Sequence, residues 1–387
     1  MKKEFTSPPL FKSYWIAGYE SSCHINTKGE RLDMLAATQH DSQVDTDYAL
    51  LRAAGISTAR DAVRWPLVEK TPGNYDFSSF VPMLEAAKRH GIQVIWDVCH
   101  YGWPDGLDLL SPEFVTRFAR FSAALAKTVK DHSDELPFYS PINEISFFSW
   151  AAGESGWFYP HLNHRGAEIK RQLVKAAIAS MDAIREVDPR ARFVHVDPVI
   201  RVIPKRDQLQ FTQAAQDYTE SQYEAWDMIA GRQAPELGGD PKYLDIIGVN
   251  YYHSNQWEYE GDRLRWEDAP RDERWMSFSQ MLAQIHHRYR TDIFVGETSH
   301  FGAGRARWIA EIAAEIAVAR VNDIPIAGIC IYPILDRSDW LDPEHWHNSG
   351  LWDLHRNADG KLVRVLHEEY AAALKRAQLL LASQDCD

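Results

Sequence analysis

The sequence predicts an α/β protein built as a single (β/α)8 barrel. Eight short apolar runs alternate with helical patterns along the 387 residues, and no Gly/Ser-rich or Pro-rich linker divides them. Several runs, such as GIQVIWDVC at 91–99 and IAGICIYPIL at 326–335, are almost continuously apolar, as in strands buried on both faces of a parallel sheet. Because this rhythm continues along the chain, we predict one domain over 1–387 rather than two or three.

The apolar, β-branched runs are the predicted strands. They span Tyr14 to Tyr19, Ile56 to Val63, Ile92 to Cys99, Phe138 to Ile142, Arg192 to Val196, Leu244 to Tyr251, Ile293 to Val295 and Ile326 to Ile334. A doubly wound open sheet is the alternative, but its glycine-rich phosphate turn is missing. Gly302-Ala-Gly304 follows a strand without completing that pattern.

Helix signals lie between these strands. Ser111 before Pro112 predicts an N-cap, and Gly55 and Gly91 stand where a helix ends and a strand begins. Further helices are predicted over Ala167–Val187, Gln208–Ala230, Phe278–Tyr289, Arg305–Val321 and Val363–Leu381. Residues 253–275, after the sixth strand, break the rhythm as a polar, aromatic loop. Its tryptophans, Trp257, Trp266 and Trp275, either face solvent or form a wall that contacts a substrate.

Composition excludes several kinds of partner. There are 42 Lys and Arg against 55 Asp and Glu, and the resulting net charge of −13 argues against nucleic acid. No stretch approaches the roughly 18 uncharged residues of a membrane span, and the N-terminus has no apolar leader. We therefore expect no membrane partner and a cytoplasmic location, with a homo-oligomer possible. The 14 tryptophans suit stacking on a small neutral ligand such as a sugar.

The predicted strands end in acids, amides, aromatics and one arginine. The carboxyl ends of barrel strands form the active site in this fold. The residues at or just beyond these ends are Glu20, Arg60, His100, Asn143, Glu144, Asn250, Tyr252, Glu297, Tyr332, Asp339 and Trp340. The histidine pairs at 161/164, 286/287 and 345/347 have no convincing third ligand in the sequence, so we expect no metal and no cofactor.

Glu144 and Glu297 end the fourth and seventh strands, which places them across the barrel mouth from each other. Glycoside hydrolysis needs two such carboxyls, one to protonate the leaving oxygen and one to attack or stabilise the sugar centre. Near neutral pH their surroundings must differ, so that one stays ionised while the other keeps its proton. A purely structural role, as a helix cap or an arginine partner, is the alternative.

Seven segments, in order, resemble motifs of the family 1 glycoside hydrolases, the β-glucosidase and β-galactosidase group. RDAVRWP at 60–66 resembles R-F-S-I-S-W-P, HYGWP at 100–104 resembles H-W-D-L-P, and INE at 142–144 resembles F-N-E-P. LDIIGVNYY at 244–252 resembles D-F-L-G-I-N-Y-Y, and VGETS at 295–299 resembles I-T-E-N-G. YPILDRSDW at 332–340 resembles W-S-L-L-D-N-F-E-W, and SGLWD at 349–353 is similar to F-G-L-x-x-V-D. The resemblance implies a (β/α)8 barrel with catalytic glutamates on strands four and seven.

The resemblance also implies roles for single residues. Glu144 would be the general acid/base and Glu297 the nucleophile of a retaining double displacement. The residues that would orient the nucleophile are Arg60, Asn250 and Tyr252. The residues that would bind substrate are Glu20, His100, Asn143, Tyr332, Asp339 and Trp340.

Three sugar-binding positions depart from the family pattern. Glu20 replaces a glutamine, Tyr332 a tryptophan and Asp339 a glutamate. The bond-breaking pair is therefore intact, while recognition of the sugar is altered, and the negative charges of Glu20 and Asp339 predict poor binding of uronic acids. The sequence predicts an exo-acting β-glycosidase for small, β-glucoside-like substrates. A transglycosidase, another retaining glycosidase of the same superfamily and a non-catalytic sugar-binding protein are the alternatives.

Overall fold

The computed structural model describes residues 9–383, which contain a closed barrel of eight parallel strands. In order around the barrel, these strands are β1 (Trp15–Gly18), β2 (Thr58–Ala62), β3 (Gln93–Asp97), β4 (Phe138–Ser140), β5 (Arg192–Pro198), β7 (Ile246–Asn250), β9 (Asp292–Thr298) and β10 (Ile326–Ile331). β10 pairs with β1 and closes the barrel. Outside it, β6 (Arg201–Ile203) pairs with β8 (Gln256–Glu258). The predicted fold is confirmed.

Helices connect successive barrel strands. They are α1 (Met34–Ala37), α2 (His40–Ala53), α3 (Trp65–Val68), α4 (Val81–His90), α5 (Pro112–His132), α6 (Ile145–Ser149), α7 (Gly166–Val187), α8 (Thr212–Glu220), α9 (Glu224–Ile229), α10 (Phe278–Tyr289), α11 (Gly304–Val321) and α12 (Glu368–Ser383). Ser111 caps α5 as predicted, since its hydroxyl accepts the Phe114 N–H at 3.3 Å. Between residues 9 and 383, no helix combines the length and the apolar character that a bilayer crossing requires.

Two helix predictions need correction. The helix predicted over Gln208–Ala230 is divided into α8 and α9 by a 3₁₀ turn at Ser221–Tyr223. The helix predicted over Val363–Leu381 is wrong at its start, because Leu362–Leu366 forms β12, antiparallel to β11 (Trp352–Arg356). The β-branched run LVRVL favours a strand, and Gly360, at φ 79°, supplies the left-handed residue that the hairpin loop needs.

The barrel core has an inner and an outer layer. Ile16, on β1, packs inside with Ile95, Val194 and Phe294, while its neighbours on the strand pack outward against the helices. This alternation follows from the two-residue period of a strand. Towards the carboxyl ends of the strands polar residues enter the interior, beginning with the fully buried Arg60. The apolar barrel thus supports a polar layer at one end.

Candidate active site

A cavity of about 920 Å³ lies at the carboxyl ends of the barrel strands. The sequence-predicted site residues that line it are Glu20, His100, Glu144, Tyr252, Glu297, Tyr332 and Trp340. Arg60, Asn143 and Asn250 are almost completely buried, and they bond to one another or to the two glutamates. The barrel therefore brings the predicted set together, with the exception of Asp339.

Glu144 stands at the start of α6 with a left-handed backbone, φ 46°. Its N–H donates to the Val196 carbonyl oxygen on β5 at 3.1 Å, which fixes the turn between strand and helix. Its Oε1 accepts the Asn250 amide N–H at 2.8 Å, and its Oε2 accepts the Tyr101 hydroxyl. A non-glycine residue in this backbone region is strained, and such residues concentrate at functional sites.

Burial raises the pKa of Glu144 to about 8, and the negative charge of Glu297 raises it in the same direction. The hydrogen bonds from Tyr101 and Asn250 act the other way, because they stabilise the ionised carboxylate. Glu144 is only 7% exposed, so the burial effect is large. Near pH 7 this carboxyl therefore carries a proton that it can donate.

Glu297 lies in β9 beside Asn250 of β7 and receives two strong donors. Arg60 Nη1 donates to Oε1 at 2.6 Å, and the Tyr252 hydroxyl donates to Oε2 at 2.7 Å. Both oxygens are thus held by donors from other strand ends, and the arginine is fully buried. These two hydrogen bonds hold the carboxylate in one orientation at the cavity.

Arg60 also belongs to a ring of four hydrogen-bonded side chains, with Asp97, His100 and Asn143. Its Nε and Nη2 donate to Asp97 at 3.0 and 2.7 Å, and Nη2 also donates to Asn143 Oδ1. The Asn143 amide nitrogen lies 3.1 Å from His100 Nε2, and His100 Nδ1 lies 3.1 Å from Asp97 Oδ2. These contacts close the ring at Asp97, so each of the four side chains contacts two others.

Glu20 and Tyr332 line the same cavity as Glu144 and Glu297. Glu20 Oε1 accepts the Ser22 N–H at 3.0 Å, and its Oε2 lies 3.5 Å from Arg337 Nε. The Tyr332 ring is parallel to the His100 ring, with centroids 6.1 Å apart. Its hydroxyl is buried and has no partner among the described residues, so it is available to a ligand.

Asp339 does not line the cavity, so substrate binding by this residue is not supported. Its Oδ1 accepts the Leu341 N–H at 2.8 Å, and its Oδ2 lies 3.1 Å from His347 Nε2. The short Asp339 side chain therefore accepts hydrogen bonds from backbone N–H groups of the turn in which it lies. Arg337 of the same loop lines the cavity instead and pairs with Glu20. The positive charge of Arg337 therefore offsets the negative charge of Glu20, and the reason for expecting weak binding of uronic acids is removed.

Only one of the three tryptophans of the 253–275 loop matches the predicted wall. Trp257 lines the cavity, together with Trp150 and Trp157 from the segment after the fourth strand. Trp266 is buried instead, with its ring 5.1 Å from that of Trp308, and Trp275 packs against the core. One tryptophan of the loop is therefore a wall of the cavity, and the other two fix the loop to the barrel.

Sequence reasoning missed several residues of the site. Tyr101 directly follows His100, and its hydroxyl donates to Glu144. Its backbone is left-handed, with φ 64°, a conformation that the sequence does not signal. Asp97 interrupts the apolar third strand, a signal that was available in the sequence. Asp197, on β5, accepts the Ser146 N–H with both oxygens, at 3.0 and 3.1 Å, and burial raises its pKa to about 7.

No protein-family model matches the sequence, and no curated protein is significantly similar to it. In structure, the chain is similar to a family 1 β-glucosidase from Thermotoga maritima, with a TM-score of 0.76 and 14% identity over 97% of this chain and 98% of that one. A β-glucosidase from the same organism in complex with deoxynojirimycin gives a TM-score of 0.75 at 14% identity, over 96% and 99% of the chains. A hyperthermophilic β-glucosidase mutant, dodecameric in its crystal form, gives 0.74 at 14% identity, over 95% and 100%. The protein therefore has the (β/α)8 fold of the family 1 β-glucosidases.

Proposed function

We propose that the protein is a retaining, exo-acting β-glycosidase that hydrolyses small β-glycosides by double displacement. The observation that carries this proposal is the contrast between two carboxyls on one cavity. Burial keeps Glu144 protonated near pH 7, while an arginine and a tyrosine hold both oxygens of Glu297. The likeness of the fold to β-glucosidases supports the same reaction class.

In the first step, a Glu297 oxygen attacks the anomeric carbon while Glu144 gives its proton to the glycosidic oxygen. The bond to the aglycone breaks, and the sugar is left as an ester of Glu297. Esterification removes the negative charge of Glu297, which is one of the causes that raise the pKa of Glu144. That pKa therefore falls after the first step.

In the second step, the ionised Glu144 takes a proton from water, and the water oxygen attacks the anomeric carbon. The ester bond breaks, Glu297 regains its charge, and Glu144 is protonated again for the next cycle. Two displacements at the same carbon return the β configuration. One pair of side chains thus serves both steps, because the charge of one sets the protonation of the other.

The sugar occupies the inner cavity beside His100, Glu20 and Tyr332 in this proposal, and the aglycone lies against the outer aromatic wall. The Asn143 amide has one N–H left after its contact with His100, and this N–H suits the sugar 2-hydroxyl. The wall of Trp150, Trp157 and Trp257 suits an apolar or aromatic aglycone. A panel of nitrophenyl glycosides identifies the sugar.

The configuration of the first product tests the mechanism. Proton NMR of the reaction with a nitrophenyl β-glycoside is expected to show the β anomer first, followed by slow mutarotation. Glu297→Ala protein under the same conditions serves as the control for contaminating activity. An α anomer as the first product is incompatible with a glycosyl ester on Glu297.

The pH dependence of kcat/KM tests the acid. In wild type we expect the alkaline limb near pH 8, where Glu144 loses its proton. Tyr101→Phe removes a hydrogen bond that favours the ionised form, so the pKa rises and the limb moves to higher pH. Tyr75→Phe, a half-buried tyrosine outside the cavity lining, should leave the limb unchanged. A limb that stays in place in Tyr101→Phe contradicts this assignment.

A further inference from the structure

Three potential metal ligands, two from the 253–275 loop and one from the segment after β9, meet beside the cavity. His253 follows β7, His300 follows β9, and Glu267 belongs to the 253–275 loop. One ligand atom from each lies within 4.8 Å of the other two. The expectation of no metal rested on histidine pairs close in sequence, whereas the fold brings these three residues together from positions up to 47 apart.

Each of the three residues has one buried side-chain atom without a hydrogen-bond partner. His253 Nδ1, Glu267 Oε2 and His300 Nε2 have no hydrogen-bond partner among the described residues. His300 is 5% exposed, and its Nε2 lies 3.7 Å from Glu267 Oε1, beyond hydrogen-bond distance. Buried polar atoms are nearly always paired, so an unpartnered atom on each of three neighbouring potential ligands points to a ligand-binding site.

The remaining contacts orient these groups. His300 Nδ1 lies 2.9 Å from the Phe301 carbonyl oxygen, and the tautomer that donates its Nδ1–H to this oxygen leaves the Nε2 lone pair free to bind. Arg263 Nη2 donates to Glu267 Oε1 at 2.9 Å and leaves Oε2 free. Such outer contacts, to a backbone group and to a ligating carboxylate, hold metal ligands in place in proteins.

We propose that His253, Glu267 and His300 bind a divalent transition-metal ion, with Zn²⁺ as the best match. Two imidazoles and one carboxylate form a ligand set that Zn²⁺ favours, at about 2.0–2.2 Å from each ligand atom, so binding draws the three atoms towards one centre. Both histidines line the cavity. A fourth ligand, water or a substrate oxygen, therefore enters from the cavity side.

Metal binding is measured on Glu297→Ala protein as well as on wild type, so the result does not depend on glycosidase activity. After treatment with a chelator, calorimetric titration with Zn²⁺ is expected to show one equivalent bound. Titration with Co²⁺ should give the visible absorption of a four-coordinate ion. His300→Ala and Glu267→Gln should each weaken Zn²⁺ binding by at least about 100-fold, more than the loss of an outer contact does.

His286→Ala is the matched control, because His286 belongs to a histidine pair on α10 and does not line the cavity. It should bind Zn²⁺ as wild type does. Circular dichroism on each variant verifies that the fold is retained. Absence of one-equivalent binding in wild type overturns the proposal, and so does equal affinity in wild type and the ligand variants, which indicates surface binding elsewhere.

Discussion

Replacing Glu297 by alanine is expected to lower kcat/KM for an aryl β-glycoside by at least about 10³-fold, because no group remains to form the glycosyl ester. Arg60 and Tyr252 remain, so the donors that held the carboxylate now surround a small vacant space. The loss should appear mainly in kcat, since His100, Glu20 and Tyr332 still line the sugar end of the cavity. Steady-state kinetics on a nitrophenyl substrate measures it.

A small anion should partly restore the reaction in Glu297→Ala. Azide fits the space left by the carboxylate, is attracted by Arg60, and attacks the anomeric carbon from the same side. A single displacement inverts the configuration, so the expected product is an α-glycosyl azide, identified by NMR. Glu113→Ala, an exposed glutamate in the first turn of α5, should retain wild-type activity. Full activity in Glu297→Ala, without azide, would falsify the nucleophile assignment.

Replacing Glu144 by glutamine is expected to have an effect that depends on the leaving group. For an alkyl glycoside, whose aglycone needs a proton to leave, we expect kcat/KM to fall by about 10²–10⁴-fold. For a dinitrophenyl glycoside the leaving group needs no proton, so the first step should be affected far less. Glutamine keeps the size of the side chain, and the alkaline limb near pH 8 should disappear because the titrating carboxyl is gone.

Glu154→Gln is the matched control for this comparison, since Glu154 lines the same cavity but is exposed and pairs with His164 rather than with Glu144 or Glu297. It should change kcat/KM only a few-fold, with no dependence on the leaving group. An equal loss on alkyl and dinitrophenyl glycosides in Glu144→Gln contradicts the acid role, because it indicates a general disturbance of the site.

Much of the candidate site was predictable because of the topology of the barrel. Once eight strand units are recognised, the last residues of each strand must meet at one end. The strand ends alone therefore predict that Arg60, Asn143, Glu144, Asn250 and Glu297 lie close together. Their hydrogen bonds in the structure agree with that grouping.

Other features depend on contacts that no periodicity encodes. Asp339 aligns with a sugar-binding position, but nearby N–H groups bind its carboxylate, and Arg337 lines the cavity instead. Tyr101, which has a left-handed backbone, donates a hydrogen bond to Glu144 from the loop after β3. The cluster of His253, Glu267 and His300 joins residues up to 47 positions apart, at distances set by the loop packing.

The sequence by itself determined the barrel, the strand ends and the identity of the two opposed glutamates, because strand period and chain order fix which residues share one rim. Only the tertiary structure decided that Glu144 holds a proton and that Glu297 accepts hydrogen bonds from Arg60 and Tyr252. It also decided which loop side chains face the cavity. These properties depend on burial and on distances of a few ångströms, which the folded chain sets through packing.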